Sequence, residues 1–349
     1  MTNLKYLLIL LLLSPLFCLA QKTTVDRPDE LIEPKPYQEA YFRDANDYSM
    51  MKSLTTLSKA KYQDFKRDTL SKQYFDERGR LIKKIRYRNN SPNKTTIYQY
   101  TPKGDLQSWQ IFEERFSTLT QYTYTPNHNI EQTQQWRINN KPAQNDSTLI
   151  TTKSFTYDQD QLIQIIHNQS SIEEYSYEGK LLHFKKGPYI SKSFAYDEEE
   201  KLTQLYEYMG NKIDSTKRKG SKIYYYDPNN RLILDSILNH TTKVYQITEY
   251  SYQKDGLLKS VKVRYGESYR NINFEYIDKK INRVRIETNQ SNNAYLHHWI
   301  DHRIANTYPF PIKYKEEFDY DQYGNRISKK VFVNDELYSE VNYQIIYRQ

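Results

Sequence analysis

The sequence predicts an all-β protein in which tandem antiparallel β-hairpins form an extended, curved sheet. A short aromatic sequence motif occurs ten times along the chain. The residues after each copy alternate between apolar and polar with a period of two, and no repeated stretch shows sustained helical periodicity. The alternative architecture is a propeller with two hairpins in each blade.

Each copy of the motif has two aromatic residues with one residue between them, then a polar turn, then an aliphatic residue. The sharpest copy has Tyr224, Tyr226, Asp227 and Leu232 in these positions. Aromatic residues two apart share one face of a strand, and Asp, Asn, Pro and Gly favour tight turns. The residues that define the repeats in this way are Phe75, Gly79, Leu81, Tyr100, Gly104, Leu106, Tyr157, Asp158, Tyr196, Asp197, Tyr226, Asp227, Leu232, Tyr252, Tyr320, Asp321 and Gly324.

The aliphatic residue usually follows the second aromatic residue by six positions, and the fifth and last copies supply Leu181 and Ile327 for it. The strand after the turn then alternates, as Val261 and Val263 do with Lys262 and Arg264. This pattern is typical of a half-buried antiparallel strand, so ten copies predict about twenty strands. The aspartates at the turn are expected to hold it through hydrogen bonds to the backbone rather than to act in catalysis.

Residues 1–20 are predicted to be a signal peptide. Lys5 precedes an apolar run over residues 7–13, and small residues lead to a cleavage site after Ala20. The apolar stretch is too short to span a bilayer, so no transmembrane span is expected after cleavage. The alternative is a lipoprotein signal acylated at Cys18, although Phe17 is a poor neighbour for it.

Residues 21–69 are predicted to form a leader and a capping segment. The stretch 21–40 is polar and proline-rich, which favours an extended strap. From position 44 to 61, Met50, Met51, Leu54 and Leu57 have helical spacing, so a short helix is expected there. Such a helix would cap the first edge of the sheet or bind a partner. The repeats follow over 70–349.

The composition favours an exported bacterial protein. The one cysteine lies inside the signal segment, so disulfides and thiolate metal sites are excluded from the mature chain. The net charge of +8 is spread along the chain, and the densest basic runs, 83–88 and 217–219, are interpreted as solvated faces. The 35 tyrosines supply a core that the low mean hydropathy of −0.93 would otherwise not predict.

The longest insertion, residues 287–313, is the one candidate metal site. If it is helical, His298 and His302 lie one turn apart with Asp301 beside them, and these three side chains could hold a divalent ion. The favoured alternative is a loop that packs over the sheet. We expect no cofactor, since no nucleotide-binding or hydrolase motif is present.

The repeats resemble the YD repeats of the Rhs type. The matching segments are Phe75-Asp76 with Gly79-Arg80-Leu81, Tyr157-Asp158, Tyr196-Asp197, Tyr226-Asp227 with Arg231-Leu232, and Tyr320-Asp321 with Gly324-Asn325. The resemblance covers about 70–349. It implies long antiparallel sheets, which in large members coil around a toxic cargo. No cargo domain follows here, so it implies a sheet-forming module rather than a reaction.

The sequence thus predicts a non-catalytic binding or scaffolding surface. Its location would be the periplasm, the outer-membrane surface or the medium of a bacterium. The expected partner is an envelope polysaccharide or another protein, and nucleic acid is excluded by export. Two further hypotheses stay open. One is a carbohydrate-active enzyme with two acids beside convergent aromatic residues. The other is an accessory or neutralising partner of a Rhs-like toxin system.

Overall fold

The computed structural model describes residues 51–60, 68–140, 147–289 and 311–348. These residues form 22 β-strands and one three-residue 3-10 turn, Ser215–Lys217. The strands are β1 Met51–Ala60, β2 Asp68–Phe75, β3 Leu81–Arg88, β4 Ser91–Tyr100, β5 Leu106–Phe112, β6 Phe116–Tyr124, β7 Ile130–Asn139, β8 Ser147–Asp158, β9 Gln161–His167, β10 Ser171–Glu178, β11 Leu181–Lys186, β12 Ile190–Tyr196, β13 Leu202–Met209, β14 Arg218–Tyr226, β15 Leu232–Asn239, β16 Val244–Tyr252, β17 Leu258–Tyr265, β18 Ser268–Ile277, β19 Lys280–Thr288, β20 Ile312–Tyr320, β21 Arg326–Val333 and β22 Glu336–Tyr347.

The strands form one closed antiparallel barrel. Each strand pairs with its neighbours in sequence, and β1 pairs with both β2 and β22. The predictions of an extended curved sheet and of a propeller are therefore wrong. The sheet has no free edge among the described strands, because its first and last strands are hydrogen-bonded to each other.

A β-bulge at the same place in every predicted hairpin explains the closure. Tyr226 pairs with Leu232 but Tyr225 pairs with Leu234, so Ile233 is an extra residue. A bulge bends its strand and increases the local twist, and equivalent bulges curve the sheet repeatedly in the same sense. The extra residues are Ile82, Gln107, Glu131, Ile163, His183, Thr203, Ile233, Lys259, Asn282 and Ile327.

The hairpins use two kinds of turn at this rim of the barrel, which we call the turn rim. In the longer kind, the Asp227 N–H donates to the Arg231 carbonyl and the Asn230 N–H to the Asp227 carbonyl, each at 2.9 Å. In the shorter kind, two residues form the turn: Gln159 and Asp160 have φ of 45° and 66°, and Gly179 begins the turn of the fifth hairpin at 59°. The shorter turn reduces the aromatic-to-aliphatic offset from six residues to five.

Two of the expected aliphatic positions differ in the structure. In the fifth hairpin Leu182, not Leu181, pairs with Tyr177 and is buried, because the turn is the shorter kind. In the tenth hairpin Arg326 pairs with Tyr320, and Ile327 is the bulge residue. In both places the register at the turn, rather than the apolar pattern, decides which residue pairs with the ladder tyrosine: buried Leu182 in the fifth hairpin and half-buried Arg326 in the tenth.

One face of the sheet, here called the core face, carries the buried side chains. On β5–β15 its apolar cluster is confined to the two layers nearest the turn rim. Charged residues share this face: Lys185 lies in the second layer opposite Tyr175, and Glu173 lies further from that rim. On β17–β22 the apolar cluster extends over the whole strand length, from Leu258 and Ile281 to Ile312 and Val333.

The predicted N-terminal helix is wrong over the residues that the structure describes, because Met51–Ala60 is strand β1. Met51, Leu54 and Leu57 are all buried although they are three residues apart. A bulge accounts for the first interval, because Lys52 is an extra residue between Met51 and Ser53 in the pairing with β22. One shift of a period-two pattern thus gives Met51 and Leu54 the three-residue spacing of a helical stripe. The irregularity between Thr56 and Leu57 lies in β2, where Leu70 is the extra residue, so it does not explain the spacing of Leu54 and Leu57.

The signal peptide, the leader over 21–50 and residues 290–310 of the insertion lie outside the described residues. So do His298, Asp301 and His302, and the metal-site hypothesis stays a prediction. In the described part of the chain, no helix is long and apolar enough to cross a membrane.

Candidate functional site

Tyrosine hydroxyls connect each hairpin to the one before it, and we call this row the tyrosine ladder. The second aromatic residue of a hairpin donates its hydroxyl proton to the backbone carbonyl of the first core residue after the preceding turn. The nine bonds, of 2.7–2.9 Å, are Tyr100 to Leu81, Tyr124 to Leu106, Tyr157 to Ile130, Tyr177 to Leu162, Tyr196 to Leu182, Tyr226 to Leu202, Tyr252 to Leu232, Tyr276 to Leu258 and Tyr320 to Ile281. The phenol explains why tyrosine recurs there.

Basic residues at the end of a turn cover the ladder rings. Arg80 lies 4.4 Å from the centre of the Tyr100 ring, and Arg231 lies 4.8 Å from that of Tyr252. Lys280 lies 5.2 Å from the Tyr320 ring. A cation over an aromatic face is attracted by the ring quadrupole. These side chains therefore stabilise the contact between successive turns.

The aspartates that begin the longer turns hold the backbone. One oxygen of Asp227 accepts from the N–H groups of Asn229 and Arg231, and the other accepts from the Arg231 side chain at 2.8 Å. The Arg231 hydrogen bonds hold the pKa of Asp227 below its ordinary value. Asp197 and Asp321 accept equivalent backbone bonds. Asp158 instead precedes a two-residue turn.

Strands β22 and β1 form an eleventh hairpin that no turn connects. Tyr347 pairs with Met51 and Ile346 pairs with Ser53, so Lys52 is the extra residue. This is the register of Tyr226 and Leu232 in a connected hairpin. We call the junction of these strands the seam. Tyr347 takes the position of a ladder tyrosine, and fully buried Met51 takes the position of the aliphatic residue.

The ladder changes at the seam. The Tyr347 hydroxyl donates to the Asp321 carboxylate and accepts from the Asn325 amide at 2.9 Å. On the other side, the first hairpin has Phe75, which carries no hydroxyl, and the Arg348 guanidinium donates to the Asp76 carbonyl instead. The two ends of the barrel are thus held by side chains that the repeat pattern does not contain.

A cleft of about 1190 Å³ lies on the turn rim at the seam, and we call it the seam cleft. It lies where a turn would stand in a connected hairpin, between the first two hairpin turns and the end of β22. Its lining is Lys52, Phe75, Asp76, Glu77, Arg78, Arg80, Tyr100, Thr101, Pro102, Ile346, Tyr347 and Arg348. The cleft combines aromatic rings with four basic and two acidic side chains.

A second cleft of about 540 Å³ adjoins the seam on the side of the last turn. Asp278, Asp319 and Asp321 lie in its lining together with Tyr323. The Tyr323 ring contacts the Tyr347 ring, with their centres 4.7 Å apart. This aromatic pair therefore separates the second cleft from the seam cleft.

Glu173, Lys185 and Asp235 on the core face are each engaged by a neighbouring polar or charged side chain. Glu173 accepts from the Tyr175 hydroxyl at 2.9 Å, and Lys185 lies 3.3 Å from the same carboxylate. Asp235 accepts from the hydroxyl of Tyr250 at 2.7 Å, and burial followed by the Asp235 charge raises the pKa of that phenol. Buried charges that are paired in this way are stabilised against desolvation, which favours a structural role.

The structure places the repeat-defining residues in three roles. Tyr100, Tyr157, Tyr196, Tyr226, Tyr252 and Tyr320 belong to the ladder, Leu81, Leu106 and Leu232 supply its carbonyls, and Gly79, Gly104 and Gly324 have positive φ in the turns. The seam residues Lys52, Tyr347 and Arg348 were not predicted from the sequence. Their signal was the alternating pattern of the final strand, in which Tyr343, Ile345 and Tyr347 share the face that packs against Met51.

No protein-family model and no curated protein matches the chain. The crystal structure of TcdB2–TccC3–Cdc42 matches 78% of this chain at 13% identity and a TM-score of 0.41, and this chain covers 16% of that one. The Photorhabdus luminescens Tc holotoxin pore matches 78% of this chain at 14% identity and a TM-score of 0.40, again with 16% of that chain covered. A porin-like protein from Bacteroides uniformis matches 73% of this chain and 97% of its own at 11% identity, with a TM-score of 0.25. Likenesses this low carry no function to this chain.

Proposed function

We propose that the protein is an exported bacterial envelope or surface protein that binds a ligand without catalysis, and that the seam cleft is its binding site. The observation that supports this best is the missing turn between β22 and β1. The ten connected hairpins have a turn at this rim, whereas the eleventh has the seam cleft. Concave sites with aromatic walls and a few polar groups are typical of ligand binding.

The closed sheet supports a rigid binder. Every described strand is hydrogen-bonded on both sides, and the ladder connects the turns that surround the cleft. A site built on such a frame loses little conformational entropy when the ligand binds. Export rests on the signal segment of the sequence.

The second cleft favours the alternative of a carbohydrate-active enzyme, since it has three aspartates near aromatic rings. The state of these carboxylates supports binding instead. Asp321 accepts two backbone N–H groups and the Tyr347 hydroxyl, and Asp319 accepts from Ser328 at 2.5 Å. Glycoside hydrolysis needs one carboxyl group that donates a proton and one that attacks or activates water. Two of the three groups are therefore engaged in hydrogen bonds within the last hairpin, Asp321 at its turn and Asp319 across its strands.

The test is retention of the mature protein, residues 21–349, by immobilised polysaccharides and by envelope extract. Pro102 lines the seam cleft, and Pro228 stands at the same position of a distant turn. Pro102→Trp should fill the cleft and abolish retention, whereas Pro228→Trp should retain the ligand as the unchanged protein does.

Two results would count against the proposal. If both variants bind like the unchanged protein, the site lies elsewhere on the barrel. If a bound glycan is shortened during the incubation, the carbohydrate-active enzyme replaces the binder. In that case Asp278→Asn, Asp319→Asn and Asp321→Asn identify which of the carboxylates in the second cleft are needed.

A further inference from the structure

Resting on the proposed binding function, we infer that the ligand of the seam cleft is an acidic polysaccharide whose carboxylates contact Arg78 and Lys52. Three observations carry this inference: the charge left over in the cleft, the exposed aromatic pair beside it, and the absence of a free strand edge among the described strands.

The charge balance of the cleft favours an anion. Asp76 is neutralised inside the protein, because its carboxylate accepts from the Arg80 guanidinium at 2.7 Å. Lys52 and Arg78 are exposed, and no ion pair within the described residues involves either. Glu77 is the remaining acid of the lining. Arginine binds planar carboxylates through two parallel hydrogen bonds, and lysine adds a point charge.

The positions of Lys52 and Arg78 follow from the backbone at the seam and at the first turn. Lys52 is the bulge residue of the eleventh hairpin, so it stands outside the regular alternation of β1. Arg78 lies in the middle of the first turn, and its N–H donates to Asp76 at 3.0 Å. Both positions belong to elements that are fixed by backbone hydrogen bonds. The charges are therefore presented on a rigid support.

The aromatic pair favours a sugar polymer over a small anion. Tyr323 is 63% exposed and contacts Tyr347, which lines the cleft. Tyrosine offers an apolar ring face with a polar tip, and this suits the mixed apolar and hydroxylated faces of a sugar ring. A ligand that places one sugar on the aromatic pair and an acidic sugar in the cleft must be a chain long enough to reach both.

The closed sheet disfavours an acidic peptide as the ligand. Extended peptides commonly bind by adding a strand to an open sheet edge. Here β1 is paired on both sides, with β2 and with β22. A peptide in the cleft would have to leave its backbone groups to water, whereas a polysaccharide needs no strand edge.

The experiment measures binding of the full mature protein to oligogalacturonate, to its methyl ester, and to poly-glutamate. We expect oligogalacturonate to bind, the neutral ester to bind at least roughly tenfold more weakly, and added salt to weaken the binding. Arg78→Glu and Arg78→Gln should each weaken it by roughly tenfold or more, since each removes a charge-assisted hydrogen bond. Lys254→Glu, an equal charge change in the exposed turn of the eighth hairpin, should leave it unchanged.

The outcomes separate this inference from the proposed function. Equal binding of the ester, or equal losses from Arg78→Glu and Lys254→Glu, overturns the acidic ligand and leaves a binding protein. Binding of poly-glutamate in place of the glycan assigns the cleft to an acidic peptide and also overturns the inference. If no oligomer is bound here and no polymer is retained by the mature protein, the inference and the proposed function both fail.

Discussion

Ladder tyrosines and exposed tyrosines differ by one hydrogen bond, and neighbouring residues allow a matched test. The Tyr226 hydroxyl donates to the Leu202 carbonyl at 2.9 Å, while Tyr225 is 51% exposed. Tyr226→Phe should lower the free energy of unfolding by about 1–3 kcal/mol, because the carbonyl loses its partner. Tyr225→Phe should change it by less than about 0.5 kcal/mol. Urea unfolding measures both, and equal effects would show that the ladder bond contributes nothing.

The ladder also predicts alkaline unfolding. Burial raises the pKa of Tyr124, Tyr157, Tyr196 and Tyr226 from 10.0 to about 12. Between these values the folded chain keeps protons that the unfolded chain releases. The stabilisation is therefore complete below about pH 10 and is lost as the pH rises towards about 12. Urea midpoints that stay constant across this range would contradict the burial of these phenols.

At the residue scale, the sequence predicts which side chains matter but not what they do. The spacing of Tyr224 and Tyr226 correctly places both on the core face of one strand. The hydroxyl bond to the preceding hairpin is not visible in the pattern, because Phe and Tyr are equivalent in a hydrophobic alternation. Phe75 has no hydroxyl to donate, and this is understood only from its position beside the seam, where Arg348 donates to the Asp76 carbonyl instead.

At the element scale, two turn glycines separate backbone conformation from side-chain contact. Gly256 and Gly324 occupy the same position of the longer turn, with φ of 86° and 78°. An added Cβ meets nothing at Gly256, but at Gly324 it meets Lys280, which donates to the Gly324 carbonyl at 2.7 Å. Both alanine variants should lose roughly 1–2 kcal/mol from the left-handed backbone.

Gly324→Ala should lose at least about 1 kcal/mol more than Gly256→Ala, because Lys280 must move away from its carbonyl. Thermal or urea unfolding of the pair measures this difference. A double variant with Lys280→Met would test the cause, since removing the lysine should bring the two glycine sites to similar losses. If the difference persists, the Lys280 contact is not its origin.

Also at the element scale, the bulges explain what sequence reasoning could not reach. Each bulge shifts the inward-facing residues by one position, so the sequence pattern places Ile327 opposite Tyr320 where the structure has half-buried Arg326. The same shift at Lys52 puts Met51 and Leu54 three residues apart although both are buried, a spacing that resembles a helix. A bulge depends on the register with the partner strand, which one sequence does not contain. Hairpins were therefore predictable, whereas their curvature was not.

At the scale of the whole molecule, closure depends on a pairing between the two ends of the described chain. Met51 and Tyr347 repeat the register of a connected hairpin, and the bulge at Lys52 follows as in the other ten. Local repeats predict strand number and order, because those follow from each turn. They do not predict that the first and last strands meet, since that contact follows from curvature summed over the whole sheet.

If the seam is a hairpin without its turn, adding the turn should leave the barrel intact. We predict that a circular permutant with Tyr347 joined to Met51 through Asp-Pro-Asn-Asn-Arg, the linker between Tyr226 and Leu232, folds as the parent does. New termini would be placed in the exposed turn between Thr241 and Thr242. Far-ultraviolet circular dichroism and urea unfolding compare it with the unpermuted chain 51–347. A control carries the same termini with two residues removed from the linker, one fewer than the shorter kind of turn has, and should be less stable, because the bulged register no longer fits. Equal stability of the two linkers would mean that the seam does not use the hairpin register. In the same permutant the new turn would occupy the seam cleft, so retention of the ligand should fall while the fold persists.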